Sequence, residues 1–458
     1  MFRIVENDLL EWKDHPGRKP LLIRGARQVG KSFVVEKFAK ACFENFITIN
    51  FEFAPHFIDC FDTLDPYKIV RSIEAILGES IIQGHTLLFL DEIQECPKAI
   101  LSLRYFKEKM PLLHVIAAGS LLEFALNADE FRKPVGRVQS LYMKPCSFKE
   151  FLIASGDQKL LDYISSISLT ETIDPAVHAI LLEKCREYFI LGGMPEVMNY
   201  YIQQKKYHGS EVIQATLLEY YEKDFPKYNK KINFHLLKTI FTKVPALVGK
   251  RIKYSEIDPH VQARDQKPAL AALSQAGLIY PVYHSSASGL PLNATLNENR
   301  FKIIFLDIGL LEHASRVDIQ TLLHDDLILI NQGALAKQFV GQELIAYSKN
   351  YEKPELYFWE REKSGSQAEV DYILQLHGEI IPVEVKSGKT GRLRSLHIFM
   401  EEKKLKIGVR ISPQPLSFHD GILSLPFYMI HVLMENGVRE LIQKCGIDVS
   451  TKSEQDHA

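Results

Sequence analysis

The chain has 458 residues, 46% hydrophobic and 24% charged, which is the balance of a globular protein and predicts two to four domains at about 150 residues each. Lys and Arg number 55 against 57 Asp and Glu, so the net charge of −2 excludes a protein that is basic throughout; a nucleic-acid partner would need a local basic patch. The six cysteines include no Cys-x-x-Cys pair, which argues against zinc sites and disulfides and favours a reducing compartment.

The N-terminal residues give no sign of export. They carry acids and lack the apolar core of a signal peptide. No apolar run in the sequence reaches the roughly 18 residues that a membrane span needs. We therefore expect a cytoplasmic protein with no membrane partner.

A glycine-rich loop at residues 25–32 is the centre of the predicted site. An apolar run that predicts a buried strand precedes it, and a segment with helical periodicity follows it, so the spacing G-x-x-x-x-G-K-S stands in the context of a phosphate-binding loop. Glycines let backbone N–H groups face a polyphosphate, the lysine reaches the β and γ phosphates, and the serine hydroxyl suits Mg²⁺. The residues expected to bind ATP are Gly25, Ala26, Arg27, Gln28, Val29, Gly30, Lys31, Ser32 and Phe33.

A second part of the same site is predicted at residues 85–94. Residues 43–53 alternate like a strand, residues 66–78 read as a helix, and HTLLFLDEIQ is then an apolar run that ends in two carboxylates. Asp91 is expected to hold magnesium through water, and Glu92 to orient or deprotonate the attacking water. By itself such a run is often a strand leaving the core, but together with the loop it indicates an ATPase.

Two further residues are candidates for contacts to nucleotide. Ser120 ends a third buried run, 114–120, where it could sense the γ-phosphate or only cap the next helix. Arg137 suits a finger reaching the nucleotide of a neighbouring copy, which would imply a homo-oligomer; a surface salt bridge is the alternative. Strands that alternate with helices predict an α/β fold with a mostly parallel sheet and a site at the carboxyl ends of the strands.

Several motifs carry a resemblance to a known family. GARQVGKS, LFLDEIQECP, IAAGSLLEF, PVGRVQSLYMKPCSFKEFL, LGGMPEV, GALAKQFVGQELIAY, AEVDYIL and IPVEVKSG, in this order, resemble the bacterial and archaeal AAA-type ATPases fused to a restriction-endonuclease-like domain of unknown function. The resemblance implies an AAA-type P-loop ATPase core with a parallel sheet (1–155), a helical lid or linker (156–230), a winged-helix-like domain (231–315) and an α/β nuclease-like C-terminal domain (325–445). The polar character of the last residues separately predicts a flexible tail (446–458).

The middle of the chain contains a possible nucleic-acid interface. Residues 223–253 hold nine Lys or Arg against one acid. Helices are predicted at 233–247, at 254–262 with Ser255 and Asp258 as a capping pair, and at 265–276, followed by a β-wing. This arrangement can lay a helix along DNA, but winged helices also dock proteins, and a run of charge is usually a solvated face.

Residues 367–386 predict a hairpin that brings carboxylates together. If His377 and Gly378 form the turn, the numbers of two opposed residues add up to 755. Asp371 then faces Glu384, and residue 369 faces residue 386. The same register puts an apolar set on the other face of the hairpin: Val370, Tyr372 and Leu374 opposite Val385, Val383 and Ile381. The sequence therefore predicts one charged face and one core face.

The carboxylate pair has two interpretations. Asp371 and Glu384-Val385-Lys386 resemble the D…(D/E)-x-K site of restriction-type nucleases, which implies that the two acids hold Mg²⁺ and that Lys386 supports the attacking hydroxide. The alternative is a solvated face in which Lys386 pairs with Glu369. The resemblance also implies an acid on the preceding helix, where this chain has Lys337, which could occupy the place of the metal; Glu343 lies about 120° away around that helix.

A second set of basic residues follows the hairpin and fits a rim facing phosphates. Trp359 and Arg361 could likewise touch a nucleic-acid backbone, or merely pack and cap. The basic residues are Lys386, Lys389, Arg392, Arg394, Lys403, Lys404, Lys406 and Arg410.

Three functions remain open on this basis. The first is an ATPase that uses ATP and Mg²⁺ and engages DNA through its middle and C-terminal parts. The second is a nucleotide-gated switch or scaffold whose C-terminal domains bind proteins. The third is an ATP-gated, Mg²⁺-dependent nuclease.

Overall fold

Two β-sheets organise the residues that the structure describes. The computed structural model describes residues 1–126, 136–167, 172–228, 232–316, 333–361, 368–388 and 392–443. The predicted tail at 446–458 lies outside these ranges, as do three members of the predicted basic sets, Lys230, Lys231 and Lys389.

The first sheet is parallel and supports the glycine-rich loop. Its strands are β1 (Leu21–Arg24), β2 (Asn45–Asn50), β3 (Thr86–Asp91), β4 (His114–Ala118) and β5 (Gln139–Tyr142). Their order is β2-β3-β4-β1-β5, with every neighbouring pair parallel, so all five carboxyl ends lie at one edge. The predicted α/β class and parallel sheet are confirmed.

Both faces of this sheet are buried, as expected for parallel strands with continuous apolar runs. On β1, Leu21 and Ile23 pack into a core shared with the rest of the chain, and Leu22 packs into a second core on the opposite face. The helices of this part are α1 (Val5–Asp14), α2 (Lys31–Cys42), α3 (Pro66–Leu77), α4 (Pro97–Lys109), α5 (Leu122–Leu126), α6 (Phe148–Ala154) and α7 (Gln158–Ser166).

A helical segment joins the first sheet to the middle of the chain. It consists of α8 (Pro175–Leu191), α9 (Pro195–Gln204) and α10 (Tyr207–Tyr228). The predicted break falls between α8 and α9, where a Cβ on Gly193 would lie 2.0 Å from the Cys146 carbonyl oxygen. Only glycine permits this close approach.

Three helices and a hairpin follow in the predicted order. They are α11 (Phe234–Leu247), α12 (Tyr254–Ile257), α13 (Ala263–Gln275), β6 (Ile279–Ser285) and β7 (Leu296–Phe305). The predicted capping pair is wrong: α12 begins at Tyr254 and is one turn long, so Ser255 lies inside it and no side chain caps it.

The second sheet combines that hairpin with the C-terminal strands. These are β8 (Leu356–Glu360), β9 (Glu369–Leu376), β10 (Glu379–Val385), β11 (Gly408–Ser412), β12 (Ser417–His419) and β13 (Ile422–Pro426), in the order β12-β13-β11-β10-β9-β8-β6-β7. Because β6 pairs with β8, one sheet spans the expected boundary near residue 320. The helices here are α14 (Ile308–Ala314), α15 (Ala334–Ala346), α16 (Arg394–Glu402) and α17 (Ile430–Gln443).

The register of the β9–β10 hairpin agrees with the predicted sum of 755. Glu379 pairs with Leu376, and the ladder continues to Val383 opposite Tyr372. The apolar set predicted for the core face is buried throughout. Among the described residues, no helix is both long and apolar enough to cross a bilayer.

Candidate nucleotide site and C-terminal carboxylate cluster

The glycine-rich loop links β1 to α2, and its two glycines adopt backbone conformations that other residues rarely reach. Gly25 has φ 145° and Gly30 has φ 89°. A Cβ on Gly25 would lie 2.1 Å from the Met143 carbonyl oxygen, so the loop passes directly against the segment after β5. Helix α2 begins at Lys31 and turns its N-terminal N–H groups toward the loop, a geometry that attracts anions.

Lys31 is buried and bonded to the loop itself. Its Nζ donates to the carbonyl oxygens of Gly25 at 3.0 Å and Ala26 at 2.8 Å. Burial lowers the pKa of Lys31 to about 8. Phosphate oxygens carry full charge and are stronger acceptors than these carbonyls, so the ammonium is positioned to bind a polyphosphate in the loop.

Residues distant in sequence hold two further loop carbonyls. Arg3, which is buried, donates to the Val29 oxygen at 2.8 Å, and the Tyr221 hydroxyl donates to the Arg27 oxygen at 3.0 Å. The Arg27 guanidinium in turn binds both carboxylate oxygens of Asp224, at 3.0 and 2.8 Å. These contacts tie the loop to the N-terminal segment and to α10.

Ser32 and Asp91 meet at the edge of the sheet, as their predicted shared role requires. The Ser32 hydroxyl donates to Asp91 Oδ2 at 2.8 Å, and the Asn50 amide approaches the same oxygen at 3.3 Å. Asn50 is the register partner of Asp91 across β2 and β3. Burial raises the pKa of Asp91 although the bond from Ser32 opposes this. A hydroxyl beside a carboxylate is a donor set that fits Mg²⁺ held by a nucleotide.

Glu92 follows the end of β3 and is held by Gln94. Its backbone is left-handed, with φ 49°, and its Oε2 accepts a hydrogen bond of 2.7 Å from Gln94 Nε2. The other amide atom, Gln94 Oε1, lies against Gly119, where a Cβ would approach it to 2.1 Å. Gln94 therefore connects Glu92 to the end of β4.

The other predicted nucleotide contacts differ in their burial and in their partners. Ser120 is buried directly after Gly119, in the row of strand ends. Phe33 is exposed on the first turn of α2. Arg137 is half-exposed and forms an ion pair of 3.1 Å with Glu108, so the structure shows it in the surface salt bridge that was its alternative interpretation.

The C-terminal carboxylates lie in a cluster with three lysines. Asp371 Oδ2 accepts the Val385 N–H at 3.0 Å, and Asp371 Oδ1 lies 2.6 Å from Lys337 Nζ. Lys386 binds Glu384 at 2.7 Å. Glu369, the partner of Lys386 in the alternative interpretation, instead binds Lys302 of β7 at 2.5 Å, so that alternative pair is not formed.

Charge and burial shift the pKa values of Asp371 and Glu384 in opposite directions. Burial would raise the pKa of Asp371, but the ammonium groups of Lys337 and Lys302 outweigh it, so the pKa lies below its ordinary value. Burial, together with the charge of Asp371, raises the pKa of Glu384 to about 7. The donor set does not fit the predicted Mg²⁺ site, because Lys337 already holds Asp371. No group of three His, Cys, Asp or Glu in the described ranges could hold a metal ion.

Glu343 lies away from this cluster. It is buried on α15, and its carboxylate accepts the Phe148 N–H of α6 at 3.0 and 3.1 Å. Burial raises its pKa to about 8. Glu343 therefore joins the C-terminal region to the first sheet and does not replace the missing acid.

Trp359 and Arg361, the two candidates for contact with a nucleic-acid backbone, have partners within the protein. Trp359 packs edge to face with Phe399, and Arg361 pairs with Glu402.

The described basic residues of the middle segment, 223–253, are also paired. The lysines and arginines bind as follows: Lys223 with Glu219, Lys227 with Asp224, Lys238 with Glu222, Arg251 with Glu360, Lys253 with Glu256, and Lys243 and Lys250 with the carbonyl oxygens of Ile257 and Ala246.

Family models match three separate parts of the chain. Residues 17–152 match an AAA domain, 182–321 match a domain of unknown function (DUF8612), and 332–429 match a second domain of unknown function (DUF4143). The first match and the loop geometry agree, so this part of the chain is an AAA-type P-loop ATPase domain. No curated protein matches the chain.

Three solved structures are similar to this chain. The Aeropyrum pernix ORC1 protein in complex with DNA is 13% identical, covering 72% of this chain and 94% of its own, with a TM-score of 0.30. The Aeropyrum pernix ORC2 protein, in ADPNP–ADP complexes, is 11% identical, covering 69% of this chain and 93% of its own, with a TM-score of 0.34. A Thermotoga maritima RuvB variant is 16% identical, covering 60% of this chain and 87% of its own, with a TM-score of 0.28. With TM-scores this low, these likenesses carry no conclusion.

Proposed function

We propose that this protein binds ATP with Mg²⁺ at the loop 25–32, hydrolyses it, and uses its middle and C-terminal segments to engage nucleic acid. The observation that carries the first part is the 2.8 Å contact between Ser32 and Asp91, beside the buried Lys31 at the start of α2. Two groups from the start of α2 and one from the end of β3 thereby converge where a triphosphate and its metal would lie.

Each site residue has a distinct role in this proposal. Lys31 binds the β and γ phosphates, Ser32 and Asp91 hold Mg²⁺, and Glu92 orients or deprotonates water. Ser120 senses the γ-phosphate from the end of β4. Arg137 reaches the nucleotide of a neighbouring copy in a homo-oligomer, after leaving Glu108.

Nucleotide binding by the loop is tested with a fluorescent ATP analogue. Lys31→Ala should abolish binding, and Glu92→Gln should keep binding but lower the turnover rate by about 10²-fold. Lys40→Ala, an exposed lysine on the same helix, serves as the control and should bind normally. Tight binding by Lys31→Ala would contradict the proposed site.

The nucleic-acid part of the proposal rests on the helix and hairpin order of residues 234–305 and on the basic residues nearby. A specific observation favours the alternative of a nucleotide-gated scaffold: the described lysines and arginines of residues 223–253 all have acidic or carbonyl partners. The slope of log affinity for duplex DNA against log salt separates the two. A steep negative slope supports phosphate contacts, and no DNA binding or a slope near zero favours protein docking.

An ATP-gated nuclease built on Asp371, Glu384 and Lys386 is the least supported function, because Lys337 already holds Asp371. Nicking of supercoiled DNA tests it. Cleavage by the wild type that is lost in both Asp371→Ala and Glu384→Ala would support it; equal DNA integrity with all three proteins would discard it.

A further inference from the structure

We propose that the ammonium group of Lys337 takes the place of a divalent cation between Asp371 and Glu384, so that the C-terminal carboxylate cluster is a metal-independent joint between three segments of the chain. The inference is independent of nucleotide binding at the loop 25–32. Lys337 Nζ lies against Asp371 of β9, and Glu384 lies on the paired strand β10.

Both oxygens of Asp371 are already engaged. Oδ1 lies 2.6 Å from Lys337 Nζ, and Oδ2 accepts the Val385 N–H at 3.0 Å. Mg²⁺ binds oxygen at about 2.1 Å, so an ion on Oδ1 would stand only a few ångströms from a fixed positive charge. At such a distance two cations repel strongly in a partly buried site, and the lysine excludes the metal.

Each carboxyl group of the cluster already has an ammonium partner without a metal. The three pairs are close: Lys302 to Glu369 at 2.5 Å, Lys337 to Asp371 at 2.6 Å and Lys386 to Glu384 at 2.7 Å. Lys302 is buried and also approaches Asp371 to 3.8 Å. Buried charges require such pairing, and a divalent cation would leave an excess charge of about +2.

Lys337 is held in this position by its stem and by its backbone. A Cβ on Gly249 would lie 3.3 Å from Lys337 Cδ, so the aliphatic stem packs beneath the turn after α11. The Tyr372 hydroxyl donates to the Lys337 carbonyl oxygen at 2.7 Å. The lysine is therefore a fixed part of the structure, unlike a solvated surface side chain.

The cluster joins elements that are far apart in sequence. Lys302 comes from β7, Lys337 from α15, and the carboxylates from the hairpin β9–β10. One acceptor is left over, because Glu384 Oε2 is buried and has no hydrogen-bond partner. If the charge of Lys337 is removed, Asp371 Oδ1 keeps only the longer contact of 3.8 Å to Lys302, and Glu384 Oε2 still has no partner, so these two oxygens can bind a divalent cation.

The experiment measures binding of Mn²⁺ by electron paramagnetic resonance and the thermal unfolding midpoint, on the full chain without nucleotide. Mn²⁺ binding is attributed to the cluster only if it disappears with Asp371→Asn. This criterion distinguishes Mn²⁺ at the cluster from any Mn²⁺ bound at Ser32 and Asp91. The wild type should show no such binding, and Mn²⁺ or EDTA should not shift its midpoint. Lys337→Met, which keeps the aliphatic stem, should lower the midpoint and should bind Mn²⁺ at concentrations at least tenfold below the highest at which the wild type shows no binding.

Three comparisons make the result decisive. Added Mn²⁺ should restore the midpoint of Lys337→Met but not that of Lys337→Met/Asp371→Asn. Lys349→Met, which removes an exposed lysine that pairs with Glu352 outside the cluster, should behave like the wild type. Mn²⁺ binding by the wild type that depends on Asp371 would overturn the proposal, as would a folded Lys337→Met or Lys337→Gln variant with no gain in binding. Fluorescent ATP analogue binding by the same variants reports separately on the loop.

Discussion

At the scale of single residues, the least expected feature of the nucleotide site is the hydrogen bond between Gln94 and Glu92. A carboxylate that must orient water is effective only if its own rotamer is fixed. Gln94 Nε2 donates to one oxygen of Glu92, and Gly119, which lacks a side chain, leaves room for Gln94 Oε1. Gln94 thus leaves the second oxygen of Glu92 available.

Substitution of Gln94 should therefore affect turnover more than binding. We expect Gln94→Ala to lower kcat for ATP about tenfold and to leave KM within about twofold, because the carboxylate loses its orientation while the loop is unchanged. Gly119→Ala, whose added methyl would displace the same amide, should give a similar loss, and the two losses should not add. An increase in KM at constant kcat would show that Gln94 acts on binding.

The motif residues could be predicted from the sequence because their contacts follow from local spacing. Lys31 and Ser32 sit at the start of the helix that a glycine-rich loop requires, and Asp91 ends a parallel strand. The supports of the loop could not be predicted in this way. Arg3 and Tyr221 each bind a loop carbonyl, and Asp224 lies 197 residues from Arg27, so tertiary folding alone brings them together.

At the scale of elements, the hairpin shows what periodicity can and cannot predict. Its register followed from the turn and the apolar alternation, which fix a strand pair locally. The partner of Glu369 did not follow, because Lys302 arrives from β7 through a sheet that two parts of the chain share. A local pattern determines neighbours within a hairpin but carries no information about a strand contributed from elsewhere.

The junction between α8 and α9 allows a test at this scale. Gly193→Ala would force a Cβ to 2.0 Å from the Cys146 carbonyl oxygen, so the backbone must move, and we expect a loss of about 2–4 kcal/mol in the free energy of unfolding. Urea denaturation measures it. Gly84→Ala, where a Cβ meets nothing within 4 Å but φ is +85°, should lose only about 1 kcal/mol. If Gly193→Ala and Gly84→Ala lost the same free energy of unfolding, the backbone around Gly193 would accommodate the added Cβ without an energetic cost.

At the scale of the whole molecule, the C-terminal region docks directly onto the first sheet. Lys144 donates to the carbonyl oxygen and the hydroxyl of Ser348 at 2.8 and 2.9 Å, and the Asn350 amide binds Asp8 at 2.7 Å. Glu343 meets the start of α6 in the same contact. Arg3 binds both the loop and Glu150 of α6, so this contact adjoins the nucleotide site.

The buried carboxyl group of Glu343 makes this contact sensitive to pH. Its pKa is raised to about 8 in the folded protein, so its contribution to stability is complete below about pH 4.5 and is lost as the pH rises through 8. We expect Glu343→Gln to remove this loss and to be more stable than the wild type at pH 8, on the order of 2–4 kcal/mol. Denaturation at pH 5 and pH 8 provides the comparison. An unchanged difference between the two proteins would contradict the raised pKa.

The pairing of β6 with β8 has a mechanical consequence. Ladder hydrogen bonds join β6 and β7 to the C-terminal strands in one sheet, so we expect these strands to move together if nucleotide binding at the loop changes the conformation. We expect the change to fall between the two sheets, in the segment that contains α8, α9 and α10. A dye pair placed within the second sheet should keep its separation through an ATP cycle, whereas a pair that spans the two sheets would record the motion.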